Sequence, residues 1–316
     1  MRPVSRIPPQ STDSVFMLRP SRFGFNAQTA QSNAFQSAPT QQVTDDQSQA
    51  LVEFDSFVRQ LRAEGVNVLV AADDPVPPRP DAIFPNNWIS FHNDGTMVLY
   101  PMLAANRRIE RRCELIDWLL QQSGFPLRRT LDLSGSEKDN TFLEGTGSLV
   151  LDHVGRIAYA APSSRTDPVL VRRWCDEMAY DCELFTATDA SGAPYYHTNV
   201  ILSIGTRFAV IVAEALPSQD RERVLARLAT NGREVIALSR VQATEFCANI
   251  LQLSAWDEAL GDCTVLAMSR RARAAFAHEQ FARLERSVDA MVIAPLERIE
   301  NVGGGGARCM LAEIFR

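Results

Sequence analysis

One pattern recurs along this chain and restricts its fold more than any other feature: a hairpin of two alternating strands, then a helix, then a third strand. ISFHNDGTMVLY (89–100) alternates about an Asn-Asp-Gly turn, RRIERRCELIDWLLQQSG (107–124) has helical spacing, and LRRTLDLS (127–134) reads as a strand. The unit returns as SLVLDHVGRIAYAA, RTDPVLVRRWCDEMAYD and CELFTATD, and again as NVILSIGTRFAVIV, SQDRERVLARLATNG and REVIALS. A fourth copy has a longer hairpin loop, NILQLSAWDEALGDCTVLAMS, followed by SRRARAAFAHEQFARLERS and VDAMVIAP. The fifth is split: residues 46–65 supply its helix and VNVLVAAD its last strand, while FMLRP near the N-terminus and CMLAEIF at the C-terminus supply the other two. Pairing the two ends of the chain closes a ring and leaves no exposed sheet edge. The units end near Ala72, Leu133, Thr186, Leu238 and Ala294, a period of roughly 50 to 60 residues. An ordinary α/β or α+β domain without internal symmetry is the alternative.

A ring of five units needs a large core, and the composition provides one. Of 316 residues 46% are hydrophobic and 22% charged, with a net charge of −6. No break in composition marks a linker, so residues 14–316 read as one domain and residues 1–13 as a loose tail. No stretch is long and apolar enough for a membrane span or a signal peptide, which predicts a cytoplasmic protein with no membrane partner. The basic residues are scattered at a pI near 5.4, which argues against nucleic acid. The six cysteines form no CxxC pair and the four histidines lack metal-ligand spacing. Free thiols and no metal are expected, with five of the cysteines as small buried hydrophobes. Cys309 stands apart.

The residues just before each hairpin are unusually polar: Asn86-Asn87 in IFPNNW, Glu144 in FLEGTGS, His197-Thr198-Asn199 in YYHTNV, Asn249 in CANIL and Cys309 in GGGGARCM. Each is weak evidence alone, since a His beside a strand or a Cys entering one is usually structural. In a ring, equivalent positions converge on the axis. A thiol, an imidazole and a carboxylate brought together form a nucleophile system, and the glycines before Cys309 permit close approach of a substrate to the sulfur.

At these residues the chain resembles the pentein superfamily, the amidinotransferase or guanidino-group-modifying enzymes, over nearly its whole length from MLRPSRFGFN to the C-terminus. The motifs FPNN, FLEGTGS, SSRT, HTN and GGGGARCM stand in the family's order. The resemblance implies a five-bladed α/β propeller of ββαβ units around a central active site. It also implies that Cys309 is the nucleophile, His197 the general acid/base and Glu144 the carboxylate that supports proton transfer, with Arg165 holding a substrate α-carboxylate. Asn249 and Arg22 are further candidates for substrate binding, as is Arg19. No metal or organic cofactor is implied. The partner is a small-molecule amino acid, and a homo-oligomer is possible.

Two positions depart from the family pattern. Where relatives such as arginine deiminase carry aspartates against a guanidinium, this chain has Asn87 and Asn199. An amide offers both a donor and an acceptor, as a neutral ureido group requires, and removes the countercharge that a buried cation needs. The amides therefore favour a citrulline-like ureido substrate, and the motif set with FPNNW and HTN resembles the subgroup assigned to citrulline utilisation, which implies hydrolysis of citrulline through an S-carbamoyl intermediate on Cys309 to ornithine, ammonia and carbon dioxide. The two amides are expected to form an oxyanion hole, and His197 in its charged form to activate Cys309. Arginine deimination or dimethylarginine-type hydrolysis is the nearest alternative, and amidino transfer the second. A non-catalytic ribosome-binding factor of the same fold is the alternative of a different class. The polar stretch Asn26 to Gln49 could fold over a pocket mouth, but a surface connection is the preferred reading.

Overall fold

The computed structural model describes residues 9–37, 45–257 and 261–316. Strand β1 (Ser14–Arg19) runs parallel to β2 (Asn67–Ala72) after the helix Asp46–Ala63. The next four units are contiguous: β3 (Ile89–Phe91), β4 (Thr96–Leu99) and β5 (Arg129–Asp132); β6 (Val150–Asp152), β7 (Ile157–Ala160) and β8 (Asp181–Leu184); β9 (Leu202–Ile204), β10 (Phe208–Ile211) and β11 (Glu234–Ala237); β12 (Leu251–Asp257), β13 (Gly261–Ser269) and β14 (Ala290–Ala294). In each, the first two strands pair antiparallel and the second and third parallel. The last strand, β15 (Ala312–Glu313), lies antiparallel to β1 with Val15 opposite Glu313, completing a fifth three-stranded sheet from both ends of the chain. The expected five units, including the split one, are present.

Local chemistry explains the elements. The crossover from a second to a parallel third strand is spanned by a helix in each unit. In the second unit Asp167 caps that helix by accepting from the amides of Val169 and Leu170, with Pro168 in the first turn. In the first unit Gly124, at φ 62°, ends the helix Cys113–Ser123. The helix Asp46–Ala63 buries Ala50, Phe54, Phe57, Val58 and Leu61, spaced to face one way, in one core cluster with Val265 and Val292 of the fourth sheet. Neighbouring units thus share core rather than standing as separate domains.

Three helices differ from their expected extents. The first is shorter because Arg107 and Glu110 turn inward instead of lying on a helix surface, leaving a separate turn Ala105–Arg108. The third ends at Leu228, before Asn231 adopts a left-handed backbone. The fourth is two helices, Arg270–Ala275 and His278–Glu285, broken where Phe276 is extended and Gln280 accepts from the amide of Ala277. Gln10, Ser11 and Thr12 do not belong to a loose tail, since all three are buried. Gln10 donates to the Leu151 and Ile204 carbonyls, and Thr12 to that of Ile314. Residues 1–8 lie outside the described residues. None of the six cysteines is in a disulfide; of the five expected to be buried, Cys113 is exposed at its helix start and Cys182 is half-buried. Among the described residues no helix is long and apolar enough to cross a membrane.

Candidate active site

The polar positions singled out in the sequence sit on short turns that immediately precede the first strand of each unit, or β15. Asn87 ends the turn Pro85–Asn87, Glu144 and His197 begin the turns leading to Gly145–Ser148 and Thr198–Val200, and Cys309 lies in Ala307–Met310. The Gly145–Ser148 turn touches both Pro85–Asn87 and Thr198–Val200, and Pro85–Asn87 touches Ala307–Met310. Two glycines allow this. A Cβ at Gly145, which has φ 48°, would lie 2.2 Å from the Asn86 carbonyl oxygen. One at Gly147 would lie 2.6 Å from Asn87 Nδ2 and 2.7 Å from His197 Nδ1. Gly147→Ala is therefore expected to displace both side chains and cut kcat at least about tenfold while the protein stays folded, as paired activity assays and thermal melts would show.

Glu144 is fully buried and ion-paired. Its Oε2 lies 2.8 Å from His197 Nε2 and 3.3 Å from Arg165 Nη1, and its Oε1 accepts from the Leu103 amide at 3.0 Å. Burial would raise its pKa, but the charge of Arg165, the His197 hydrogen bond and the charge of Arg107 outweigh this and hold it down to about 2. An ionised carboxylate only accepts, so His197 carries its proton on Nε2 and leaves Nδ1 as the free acceptor. Burial pushes His197 down to about 4 against the pull of Glu144, and burial also pushes the Cys309 thiol up. Both shifts favour a neutral imidazole beside a neutral thiol, against the expectation of a charged His197.

Cys309, His197, Asn87 and Arg165 line one small cavity together with Asp81, Arg107, Tyr196 and Gly303 to Gly305. Arg107 was hidden in an arginine-rich run that looked like a helix surface. It is buried, forked onto Glu110 through Nε and Nη2 at 2.9 Å each, and donates from Nη1 to Asn87 Oδ1 at 2.8 Å. Asp81, five residues before Asn86, accepts from Asn26 and Thr29 through Oδ2, while Oδ1 has no hydrogen-bond partner among the described residues. An acid in an otherwise apolar run was the one sequence signal for it. Tyr196 donates to the Gly304 carbonyl at 2.6 Å and lies under Arg165, its ring centroid 5.1 Å away.

The remaining expected site residues differ in placement. Arg165 is neither exposed nor open to a ligand: Nε and Nη2 donate to Ser32 Oγ, and Nη2 also to the Thr29 carbonyl. Asn199 and Asn249 do not line the cavity. Both contact the Cys309 sulfur, Asn249 Nδ2 at 3.2 Å and Asn199 Nδ2 at 3.6 Å. Arg22 is exposed and outside the cavity, and Arg19 is paired with Asp55 at 2.8 Å. Arg19 is the last residue of β1 and Arg22 lies just beyond it.

Residues 26–37 cover the cavity, contrary to the reading of this stretch as a mere surface connection. Asn26 and Thr29 bind Asp81, Ser32 binds Arg165, and Asn33 Nδ2 donates to the Gly304 carbonyl at 3.1 Å. The enclosed volume is about 10 Å³, roughly the space of one water. On the far side of this cover lies a cleft of about 660 Å³ lined by Ser32, Phe35, Tyr195, Tyr196 and Phe246. Residues 38–44 of the same stretch lie outside the described residues.

The chain from residue 19 to 316 matches the family described as N,N dimethylarginine dimethylhydrolase, eukaryotic. No curated protein matches it. Among solved structures it is similar to the N-terminal domain of ArgZ, an arginine dihydrolase from the ornithine-ammonia cycle in Cyanobacteria, bound to substrate. The TM-score is 0.72 at 15% identity, over 96% of this chain and 99% of that one. It is also similar to an AgrE mutant in binary complex with L-arginine, with TM-score 0.70 and 16% identity, over 95% of this chain but 40% of that one. A dimethylarginine dimethylaminohydrolase carrying a 4-chloro-2-hydroxymethylpyridine adduct matches with TM-score 0.62 and 13% identity, over 96% of this chain and all of the other.

Proposed function

Since the chain belongs to the N,N dimethylarginine dimethylhydrolase family of the pentein superfamily, hydrolases of C–N bonds in guanidino groups, we propose that its own substrate is citrulline. Residues 14–316 together with the buried Gln10, Ser11 and Thr12 form one catalytic domain, and the five sheets are blades about a common axis with the catalytic turns at one end. One observation carries the choice of substrate. Arg107 donates to Asn87 Oδ1, which fixes the orientation of that amide, so the group left beside His197 is the unpartnered Nδ2 donor. A donor suits a ureido oxygen and opposes a guanidinium, every polar hydrogen of which is itself a donor.

The chemistry follows from the resting protonation states. His197 Nδ1 takes the thiol proton of Cys309 and Sγ bonds to the ureido carbon, with Asn87 Nδ2 donating to the oxygen as charge develops on it. The imidazolium, stabilised by Glu144, returns the proton to the δ-nitrogen as the C–N bond breaks, releasing ornithine and leaving S-carbamoyl-Cys309. His197 then takes a proton from water, the hydroxide adds to the carbamoyl carbon and the C–S bond breaks. The sulfur regains its proton, and the carbamate decomposes to ammonia and carbon dioxide. Displacement of residues 26–37 frees the Arg165 donors now held by Ser32 and the Thr29 carbonyl. They then hold the substrate α-carboxylate, with Asp81 accepting from the α-amino group.

Asn87→Asp tests the assignment of the amide. It keeps the acceptor for Arg107 and replaces the donor with a charge, so the ratio of kcat/KM for citrulline over arginine is expected to fall at least about tenfold. An unchanged ratio removes the basis for a ureido substrate. The unpartnered Asp81 oxygen and ionised Glu144 favour a second reading, in which they neutralise a guanidinium of arginine or dimethylarginine type.

A pH profile tests the protonation states. His197 works as a neutral base, so kcat/KM for a neutral ureido substrate is expected to hold down to about pH 4 and to fall below it. An acid limb near pH 6.5, the ordinary histidine value, contradicts a resting neutral imidazole.

A further inference from the structure

We infer that Asn249 and Asn199 form a two-amide cradle that stabilises the Cys309 thiolate as its proton leaves, standing in for the charge a neutral substrate cannot bring. This rests on Cys309 being the nucleophile of the proposed reaction. The two asparagines occupy corresponding places in neighbouring units, Asn249 two residues before β12 and Asn199 three before β9. Asn249 is locked. Its Oδ1 accepts from the Arg308 amide at 3.1 Å, and its Nδ2 donates to the Asn199 carbonyl oxygen at 3.1 Å as well as to Sγ at 3.2 Å. With that orientation fixed, only N–H faces the sulfur, and an N–H strengthens its bond when the acceptor gains a full negative charge.

Asn199 is placed differently. Its Nδ2 lies 3.6 Å from Sγ and its Oδ1 3.8 Å. It accepts from the thiol and donates to the thiolate, so the sulfur keeps a partner on both sides of the proton transfer. Burial at this position disfavours a charge, and neither the Arg107 nor the Arg165 guanidinium makes a hydrogen bond to Sγ. Several titratable or charged groups bear on the sulfur: Arg308 on its own turn, His197 and Tyr196 from the preceding strands' loops, and Asp81, Arg107, Arg165 and Glu144 around the cavity. Among these the positive ones are already matched, Arg308 by Glu313 at 3.0 Å, Arg107 by Glu110 and Arg165 by Glu144. Nearby charge therefore leaves the amides a share of the work.

The test is the pH dependence of Cys309 alkylation by iodoacetamide, followed by mass spectrometry of the Cys309 peptide, in wild type, Asn249→Ala, Asn249→Asp and Asn199→Ala. No citrulline is present, so the result is independent of whether citrulline is the substrate; the substrate assay fails or succeeds separately. The midpoint is expected to rise by about one pH unit in Asn249→Ala and further in Asn249→Asp. The aspartate keeps an acceptor for the Arg308 amide but removes the donor and adds a like charge. Asn199→Ala, which leaves the lock on Arg308 intact, gives a smaller rise and serves if the Asn249 variants do not fold. Unchanged midpoints in variants that melt as wild type overturn the inference.

Discussion

Replacing Cys309 with Ala is expected to reduce turnover by about 10⁵-fold or more, because the covalent route is lost altogether. The folding cost is expected to be small. The sulfur fills a buried site, but the Cys-to-Ala change removes one atom, and Asn249 keeps its bonds to the Asn199 carbonyl and the Arg308 amide. Thermal melts within a few degrees of wild type, together with residual activity at background, separate chemistry from packing. Activity retained above about 1% of wild type in Cys309→Ala contradicts a nucleophilic sulfur.

Glu144 is the second sensitive position, and two substitutions there report different things. Glu144→Gln keeps the shape but removes the anion that fixes the His197 tautomer and stabilises its imidazolium, so kcat is expected to fall by about 10³- to 10⁴-fold. Glu144→Ala leaves the buried guanidinium of Arg165 without its carboxylate, a loss expected to cost about 3–5 kcal/mol of stability. The dependence on pH has a definite sign. The folded-state pKa of Glu144 is depressed to about 2 from an ordinary 4.5. Its contribution to stability is therefore complete above pH 4.5 and lost as pH falls toward 2. Denaturant titrations at pH 6 and pH 3 are expected to show a smaller gap between Glu144→Gln and wild type at the lower pH. A gap that does not change with pH contradicts an ionised, paired Glu144.

Much of the architecture was legible because each unit carries its own local signals: the alternation of ISFHNDGTMVLY around its turn, the Asp167-Pro168 cap, and the repeated polar residues before each hairpin. Even the split unit could be read, since FMLRP and CMLAEIF had no other partners of the right period. The convergence of Glu144 and His197 followed from their equivalent positions, and the structure puts them 2.8 Å apart.

What escaped the sequence depends on contacts between distant residues. Arg107 and Glu110 have the spacing of a surface helix pair, and only burial shows that they hold Asn87. Asn199 and Asn249 look interchangeable with Asn87, yet two face the sulfur and one the cavity, a distinction set by Arg308 and Arg107. The cover formed by residues 26–37 depends on Thr29, Ser32 and Asn33, polar residues that any loop contains. Arg22, a candidate for its place near the N-terminus, is exposed and outside the cavity.

The central claim is that this site hydrolyses a ureido group through Cys309, and it is tested most directly by side-by-side measurement of ammonia release from L-citrulline and L-arginine and of dimethylamine release from Nω,Nω-dimethylarginine. The expected result is ammonia and ornithine from citrulline, in equal amounts, with little from the two guanidines and none from any of them in Cys309→Ala. Turnover of arginine or dimethylarginine with citrulline left unused would contradict it and assign the site to a guanidinium.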